Sequence, residues 1–359
     1  MYDVIVVGAG PAGSTAAYHC AKAGLNTLLL EKEKMPRPKT CAGGYGIVFK
    51  DVPEEAKHII RQTTTGTFFI VEGRKVYMPH RIHLFRRQDF DHVLVKRAVK
   101  AGAKFKHEKV ESVKTGQYPT VRTNKNSYQT KIVIGADGIT NTVAKNVGLF
   151  KERMYSIIFE IEDKMPADIP KRFGNNCTIF FDHSFFGYEW IFPKGDFVNV
   201  GVGAFMESGK TPNLQERMIE FLDKYKINVD RSKIKGYPVP FEPLPKVYTN
   251  NVLLTGDAAG FVDPLSGGGI ELAMISGEKA AKVAAEAVQA NDFSEKFLSR
   301  YVDECSFIYN FIKKMQRDYK IFRTAFKLKL LYPLMIYAKV DVWIKSKILK
   351  QKRMSLSGI

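Results

Sequence analysis

Three glycines spaced as Gly8-x-Gly10-x-x-Gly13, with an acid further on at Glu31, form a pattern able to grip a diphosphate. Gly8 permits a tight turn, Gly10 lets the backbone approach a pyrophosphate, and Gly13 allows a helix to pack on a strand. Amides at the start of that helix would face the diphosphate, and Glu31 would accept hydrogen bonds from ribose hydroxyls. Such a pattern works only after a strand and before a helix, and the sequence supplies both. Asp3 to Val7 is a nearly continuous apolar run, the ten residues after Gly13 are small and helix-compatible up to Gly24, and Thr27 to Leu30 is a second apolar run. The reading is a βαβ nucleotide-binding unit.

Two more glycine–aspartate turns follow apolar strands. Gly135-Ala-Asp137-Gly138 ends Lys131 to Ile134, and Gly256-Asp257 ends Asn251 to Thr255. In many flavoproteins a second Gly-Asp of this kind binds the ribityl chain and phosphate of FAD, a feature that simple nicotinamide dehydrogenases lack. The three motifs in this order therefore point to FAD. No second complete G-x-G-x-x-G follows a strand, so electrons are expected from an external donor, reduced ferredoxin or NAD(P)H. Gly267-Gly268-Gly269 precedes a helical stretch from Ile270 to about Ala290, and Pro264 would shape the turn before it. Glycines there would let backbone amides reach a flavin ring edge, and the helix N-terminus would stabilise negative charge on it.

The elements that must position these turns suggest an α/β fold with an interruption. Residues 65 to 85 alternate like strands, Gln88 to Ala101 reads as an amphipathic helix, and Ser156 to Phe205 is rich in β-branched and aromatic residues. The expected architecture is a Rossmann-like FAD-binding domain with an inserted antiparallel-sheet substrate domain and a C-terminal helical region. The boundaries are 1–65, 87–150 and 245–292 for the FAD-binding part, 66–86 and 151–244 for the sheet, and 293–359 for the helical region. With 359 residues and 45 % hydrophobic content, the chain has ample material for such a core, which excludes the disordered and collagen-like classes.

Four dispersed cysteines (Cys20, Cys41, Cys177, Cys305) offer no zinc or iron–sulfur spacing, and the seven histidines show no helical ligand pair, so no metal site is expected. A reducing compartment fits this cysteine usage. The start has neither a basic n-region nor a cleavage site, and no run of about twenty uncharged apolar residues suggests a spanning helix. The net charge of +18 is concentrated between Lys313 and Arg353, where thirteen Lys and Arg face only Asp318 and Asp341. Large apolar residues, among them Phe322, Phe326, Leu331, Trp343 and Ile348, are interleaved at helical spacing. Two readings stand: a basic amphipathic surface for anionic lipid, or helices covering the substrate domain with a solvated basic face. No basic–aromatic nucleic-acid module is present.

The segments Val-Gly-Ala-Gly-Pro-Ala-Gly-Ser-Thr-Ala-Ala, Pro-Arg-Pro-Lys-Thr-Cys41-Ala-Gly43-Gly44, Arg87-x-x-Phe-Asp91, Gly-Ala-Asp137-Gly, Tyr188-x-Trp190-x-Phe192-Pro193 and Gly256-Asp257 through Gly269-Ile270 together resemble the geranylgeranyl reductase family. These are FAD enzymes of the p-hydroxybenzoate hydroxylase structural group that saturate isoprenoid double bonds. The resemblance covers roughly residues 1 to 290. It implies FAD contacts at Gly8, Gly10, Pro11, Ala12, Gly13, Glu31, Lys32, Cys41, Ala42, Gly43, Arg87, Asp137, Gly138, Gly256, Asp257, Pro264, Gly267, Gly268, Gly269 and Ile270. Cys41 is implied as a catalytic residue, together with Gly268 and Gly269 at the flavin.

An isolated alkene has no carbonyl to stabilise charge, so its reduction needs a proton from a positioned acid in a dry cavity as hydride arrives. Cys41 would deliver that proton or orient the alkene; the alternative is a buried inert thiol. Tyr188, Trp190 and Phe192 share one face of a strand and form an aromatic wall suited to a polyprenyl chain, or else plain core. The expected function is an FAD-dependent reductase of isoprenoid double bonds in a membrane lipid or prenyl substrate, cytoplasmic and peripheral on the inner face of the cell membrane. Alternatives on the same scaffold are a flavin monooxygenase or halogenase, and an electron-transfer flavoprotein docking to quinone.

Overall fold

The structure, a computed structural model, describes residues 1–46, 52–205 and 213–339. β1 (Tyr2–Val7) has its apolar run Val4–Val7 buried, as a central parallel strand requires. It turns at Gly8 into α1 (Pro11–Lys22), which starts on proline, the residue whose missing N–H costs nothing at a helix start. β2 (Thr27–Glu31) returns parallel to β1. β3 (Gly44–Tyr45), β4 (Gln62–Val71) and β5 (Arg74–Leu84) come next, followed by α2 (Arg87–Lys100) and β6 (Lys104–His107). The meander β7 (Val110–Lys114), β8 (Thr120–Thr123) and β9 (Ser127–Gly135) ends beside β1, and α3 (Thr142–Asn146) closes this first pass.

The chain then builds β10 (Tyr155–Lys164), α4 (Ile169–Phe173), β11 (Cys177–Phe181), β12 (Gly187–Lys194), β13 (Phe197–Ala204), α5 (Leu214–Lys224) and β14 (Lys235–Pro240). It returns through β15 (Tyr248–Thr249) and β16 (Val252–Leu254) to α6 (Ile270–Ala290), α7 (Glu295–Leu298), α8 (Arg300–Glu304) and α9 (Ser306–Lys327). Residues 331–339 are helical again.

Two sheets result. The first runs β15-β16-β9-β1-β2-β6, parallel from β16 to β6, with the β7–β8 hairpin attached to β9. Its core is Val4–Val7, Leu28–Leu30 and Ile132–Ile134, covered by α1 and α6. The second runs β14-β10-β13-β12-β11-β4-β5-β3. It is antiparallel except at β11–β4, where the strands run parallel, so the expected antiparallel sheet contains one parallel pair. Its edge strand Gly44–Tyr45 comes from the loop after Cys41, which ties the nucleotide-binding half directly to the second sheet.

Alternation divides the second sheet between two environments. Ile161, Phe180, Ile191, Val198, Val200 and Val202 pack on one face with α5. The other face carries Glu160, Asn199, Gly201, Tyr188, Trp190 and Phe192, and looks toward the first sheet's loops. The four phenylalanines before β12 are split likewise: Phe180 and Phe185 belong to the α5 side, Phe181 and Phe186 to the opposite one.

The apolar stripe of α9 is turned to the protein. Tyr319, Phe322, Ala325 and Phe326, with Leu331, pack against Val71, Phe181, Phe205 and Phe241. The apolar stripe is thus a cover, and Lys320, Arg323 and Lys327 lie on the exposed outer face. Trp343, Ile344, Ile348 and Leu349, with the basic residues from Lys345 to Arg353, lie outside the described residues. Among the described residues no helix is long and apolar enough to cross a membrane.

Candidate active site

The β1–α1 turn is built for close approach. Gly8 has φ +100°, and a Cβ on Gly13 would stand 1.8 Å from the Gly8 carbonyl oxygen, so neither position accepts a side chain. Above Gly10 the space is open: a Cβ there would meet only the Arg37 guanidinium, at 3.7 Å. Pro11 and Ala12 are buried in the first turn of α1, whose leading amides have no partner within the helix.

Glu31 ends β2 and is buried. Its Oε2 accepts from the Ala9 amide at 2.9 Å and lies 3.4 Å from Arg37 Nε, while Oε1 accepts from the Glu33 amide. Arg37 bridges onward to Asp91 at 3.4 Å, and Asp91 holds Arg87 through two bonds of 2.9 Å. Arg87 is thus a buried, bidentate cation, its proton held more tightly than usual by Asp91 against the burial penalty. Lys32 stays on the rim: its side chain is exposed and its carbonyl accepts from His107.

Several motif turns meet at one junction. A Cβ on Gly8 would strike Ala136 of the Gly-Ala-Asp-Gly turn. Asp137 caps α3 by accepting from the Val143 amide at 3.1 Å, but its Oδ1 is buried without a partner, and burial raises its pKa to about 6. Tyr237, from β14, reaches Gly138 and carries the Lys39 ammonium over its ring at 3.0 Å. Burial lowers the Lys39 pKa to about 8, against the opposing pull of Asp257, with Arg87 and Arg37 as neighbouring cations. Gly256 has φ +60° and sits against Ala12 of α1, and Asp257 Oδ1 is beside Gly269.

The Gly267–Gly269 turn is organised by Asp263, buried at the end of the loop. Its carboxylate accepts from the Leu265 amide at 2.8 Å and the Ser266 hydroxyl at 2.5 Å, and its backbone pairs with Gly267 and Gly268. Buried Pro264 follows it, and Gly269 caps α6, whose first residue Ile270 is buried. Tyr188 donates its hydroxyl to the Ser266 carbonyl at 2.7 Å, which ties the aromatic strand to this turn.

Trp190 lies across Gly201 and donates its indole N–H to Asn199 at 2.7 Å. Asn199 donates to Glu160 Oε2 at 2.9 Å, and the Cys41 amide donates to Glu160 Oε1 at 2.6 Å. Burial raises the Glu160 pKa, with Lys194 opposing it. Phe192, next along the strand, packs with Ile82, Leu84 and Cys177 and faces Gly44.

All the turn motifs and the Cys41 loop therefore converge, with Tyr188, Trp190 and Phe192 on the sheet face opposite. Sequence reasoning missed Arg37, Lys39, Glu160, Asn199 and Asp263. Arg37 and Lys39 stood in the quoted Pro-Arg-Pro-Lys segment and Asp263 in the turn motif, but Glu160 and Asn199 carried no local signal. The open space over Gly10 at a helix N-terminus, the acid closing β2 and the unpartnered Asp137 oxygen fit a dinucleotide.

Known proteins resemble this chain over most of its length. Residues 1–312 match the family model described as FAD binding domain. The digeranylgeranylglycerophospholipid reductase of Methanocaldococcus jannaschii is 36 % identical over 327 residues, covering 84 % of this chain and 81 % of that protein. The Methanococcus vannielii protein of the same name is 33 % identical over 84 % of this chain and 81 % of its own length. Among solved structures, a geranylgeranyl bacteriochlorophyll reductase-like protein from Thermoplasma acidophilum superposes with TM-score 0.75 at 25 % identity, over 89 % of this chain and 86 % of that one. A flavin-dependent brominase has TM-score 0.71 at 21 % identity over 97 % and 92 %, a likeness of fold alone.

Proposed function

This chain belongs to the geranylgeranyl reductase family of FAD-binding proteins, and from that membership we propose that it saturates the isoprenoid double bonds of a geranylgeranylated membrane glycerophospholipid or related prenyl substrate. FAD is its cofactor, and in its reduced form supplies hydride. The observation that carries the reading is that the Cys41 loop, through its amide on Glu160 and its Gly44–Tyr45 strand, is joined to the sheet whose Tyr188 bonds the glycine turn at Ser266.

Gly8, Gly10, Pro11, Ala12 and Gly13 would hold the diphosphate, with Arg37 as its counter-charge over Gly10 and Glu31 on the adenosine ribose. Lys32 would add surface charge beside it. Asp137, Gly138, Gly256 and Asp257 would line the ribityl segment. Cys41, Ala42, Gly43, Arg87, Pro264, Gly267, Gly268, Gly269 and Ile270 would frame the ring system. The Gly269 amide at the start of α6 would favour negative charge there, with Gly268, whose amide donates to the Ser266 hydroxyl at 3.2 Å, shaping the approach.

Protonation falls to the chain itself. Cys41 Sγ would hold the proton for the alkene carbon, and Lys39 Nζ, with its lowered pKa of about 8, would be a store able to replace it near neutral pH. Tyr188, Trp190 and Phe192 offer the apolar and π surface that a prenyl chain requires. The aromatic layer closed by Phe322 and Phe326 of α9 keeps water from that end of the sheet.

Access to a lipid substrate and to electrons completes the reading. The outer face of α9 and the turn after it expose Ile321, Leu328 and Leu330 among Lys320, Arg323, Lys327 and Lys329, a composition suited to an anionic leaflet. On this reading the protein is cytoplasmic and peripheral on the inner face of the membrane. Reduced ferredoxin or NAD(P)H delivers electrons from outside the chain.

The test is anaerobic. The yellow holoprotein is reduced with dithionite and given geranylgeranyl lipid, and products are weighed by mass spectrometry. A gain of two hydrogens per reduced bond, lost in Cys41→Ala, is expected. Absence of product, with rapid reoxidation by air or quinone instead, overturns the reading.

A further inference from the structure

We infer that Glu160 is the positioning residue for Cys41, and that it links the orientation of the thiol to Trp190 through Asn199. The inference rests on the reading that places Cys41 at the reaction site. The chain of contacts is continuous: Trp190 Nε1 to Asn199 Oδ1 at 2.7 Å, Asn199 Nδ2 to Glu160 Oε2 at 2.9 Å, and the Cys41 amide to Glu160 Oε1 at 2.6 Å. Its ends belong to different parts of the fold. Cys41 sits on the loop that leaves the nucleotide-binding sheet, whereas Glu160, Asn199 and Trp190 stand side by side on β10, β13 and β12 of the second sheet.

The neighbouring charges leave Glu160 to this task. Lys194, fully buried, bonds Glu162 at 2.6 Å, and Arg86 bonds the other Glu162 oxygen at 2.8 Å. Lys194 is thereby committed to Glu162 by hydrogen bonding and reaches Glu160 only as a nearby charge. A buried carboxylate must find donors, and the donors here are one loop amide and one asparagine that is itself oriented by an indole. The loop has little slack beyond that bond. Gly43 is pinned by the Phe85 amide on its carbonyl at 3.0 Å, and a Cβ on it would meet the Phe85 oxygen at 2.2 Å. Gly44 is already paired into the sheet. The 2.6 Å bond therefore fixes the backbone of Cys41 at the start of this pinned stretch, and with it the Sγ that accepts from the Gly43 amide at 3.4 Å.

Glutamine in place of Glu160 presents one oxygen and one N–H₂, so it satisfies Cys41 or Asn199 but not both. Phenylalanine in place of Trp190 keeps a ring over Gly201 and deletes only the donor that orients Asn199. Glu160→Gln also removes a buried charge beside the Cys41 amide, whereas Trp190→Phe changes no charge, so an effect shared by both variants travels through the chain of bonds.

The experiment reads thiol chemistry rather than turnover. Of the four cysteines, Cys20, Cys177 and Cys305 are buried, and Cys41 alone is partly exposed. Iodoacetamide labelling of the FAD-loaded holoprotein, with the labelled peptide quantified by mass spectrometry, therefore follows Cys41. Glu160→Gln is expected to change its labelling rate about tenfold, the scale of losing one hydrogen bond to a charged acceptor. Trp190→Phe is expected to shift it in the same direction by a smaller factor. Unchanged Cys41 rates in a folded, FAD-retaining Glu160→Gln protein overturn the inference. If that variant does not fold, Trp190→Phe decides alone, and an unchanged rate there overturns it equally. Loss or survival of turnover in Cys41→Ala judges the function separately, so the two failures are distinguishable.

Discussion

Trp190 fits only because its cross-strand neighbour is Gly201: a Cβ at position 201 would lie 2.1 Å from the indole Cζ2. Gly201→Ala should lift the ring off β13 and strain its bond to Asn199. The expected cost is about 1–3 kcal/mol, typical of overpacking a tight site. Urea unfolding measures it, and a changed emission of Trp190 should accompany it. An unaltered midpoint would mean that the ring has another place to rest.

The Arg87–Asp91 pair is buried, and Arg37 leans on the same carboxylate. Asp91→Asn leaves two guanidinium groups without their full counter-charge, so a loss of about 3 kcal/mol is expected in denaturant unfolding. FAD retention on gel filtration should fall with it, because Arg87 and Arg37 flank the proposed cofactor path. A variant as stable and as yellow as the parent would contradict this.

Asp137 gives a pH signature with a definite sign. Its pKa rises from 3.8 to about 6 in the folded chain, so the folded state holds the proton more tightly than the unfolded one. The stabilisation is complete below 3.8 and is lost as pH rises through 6. Asp137→Asn keeps an oxygen for the Val143 amide and removes the titration. In FAD-stripped protein, the stability of the variant relative to the parent should therefore increase between pH 4 and 7, by at most about 2–3 kcal/mol before solvent screening. A pH-independent difference would refute the assignment.

The outer face of α9 carries Ile321, 51 % exposed, and the residue that follows the helix, Leu328, is 62 % exposed. Leu328→Glu adds a negative charge and removes an apolar contact, so co-sedimentation with phosphatidylserine-containing vesicles should drop by roughly tenfold. Binding to neutral vesicles should be weak for both proteins. Equal sedimentation of parent and variant with anionic vesicles would remove this face from the proposed membrane contact.

Legibility in the sequence followed the range over which each signal acts. The β1–α1–β2 unit was readable because Gly8, Gly10, Gly13 and Glu31 lie within one supersecondary element, where spacing alone fixes geometry. The turns at Asp137 and Asp257 were readable for the same reason, each directly following an apolar strand. Glu160 was not, since a carboxylate on an alternating strand looks like an ordinary solvent-facing residue until the Cys41 loop is laid over it. Arg37 was hidden by a similar circumstance: its partners Glu31 and Asp91 meet only through tertiary packing. The stripe of α9 showed its amphipathic period plainly, but periodicity states that a face is covered and not what covers it. Phe181, Phe205 and Phe241 supplied the cover.

That cover has a consequence during synthesis. Val71, Phe181, Phe205 and Phe241 emerge from the ribosome well before Tyr319, Phe322 and Phe326, their packing partners on α9. Until that helix arrives, the growing chain displays a sticky aromatic surface on an otherwise formed sheet, a state prone to aggregation. A nascent chain stalled before residue 319 should be a chaperone client, and expression yield should depend more on α9 than its distance from the glycine turns suggests.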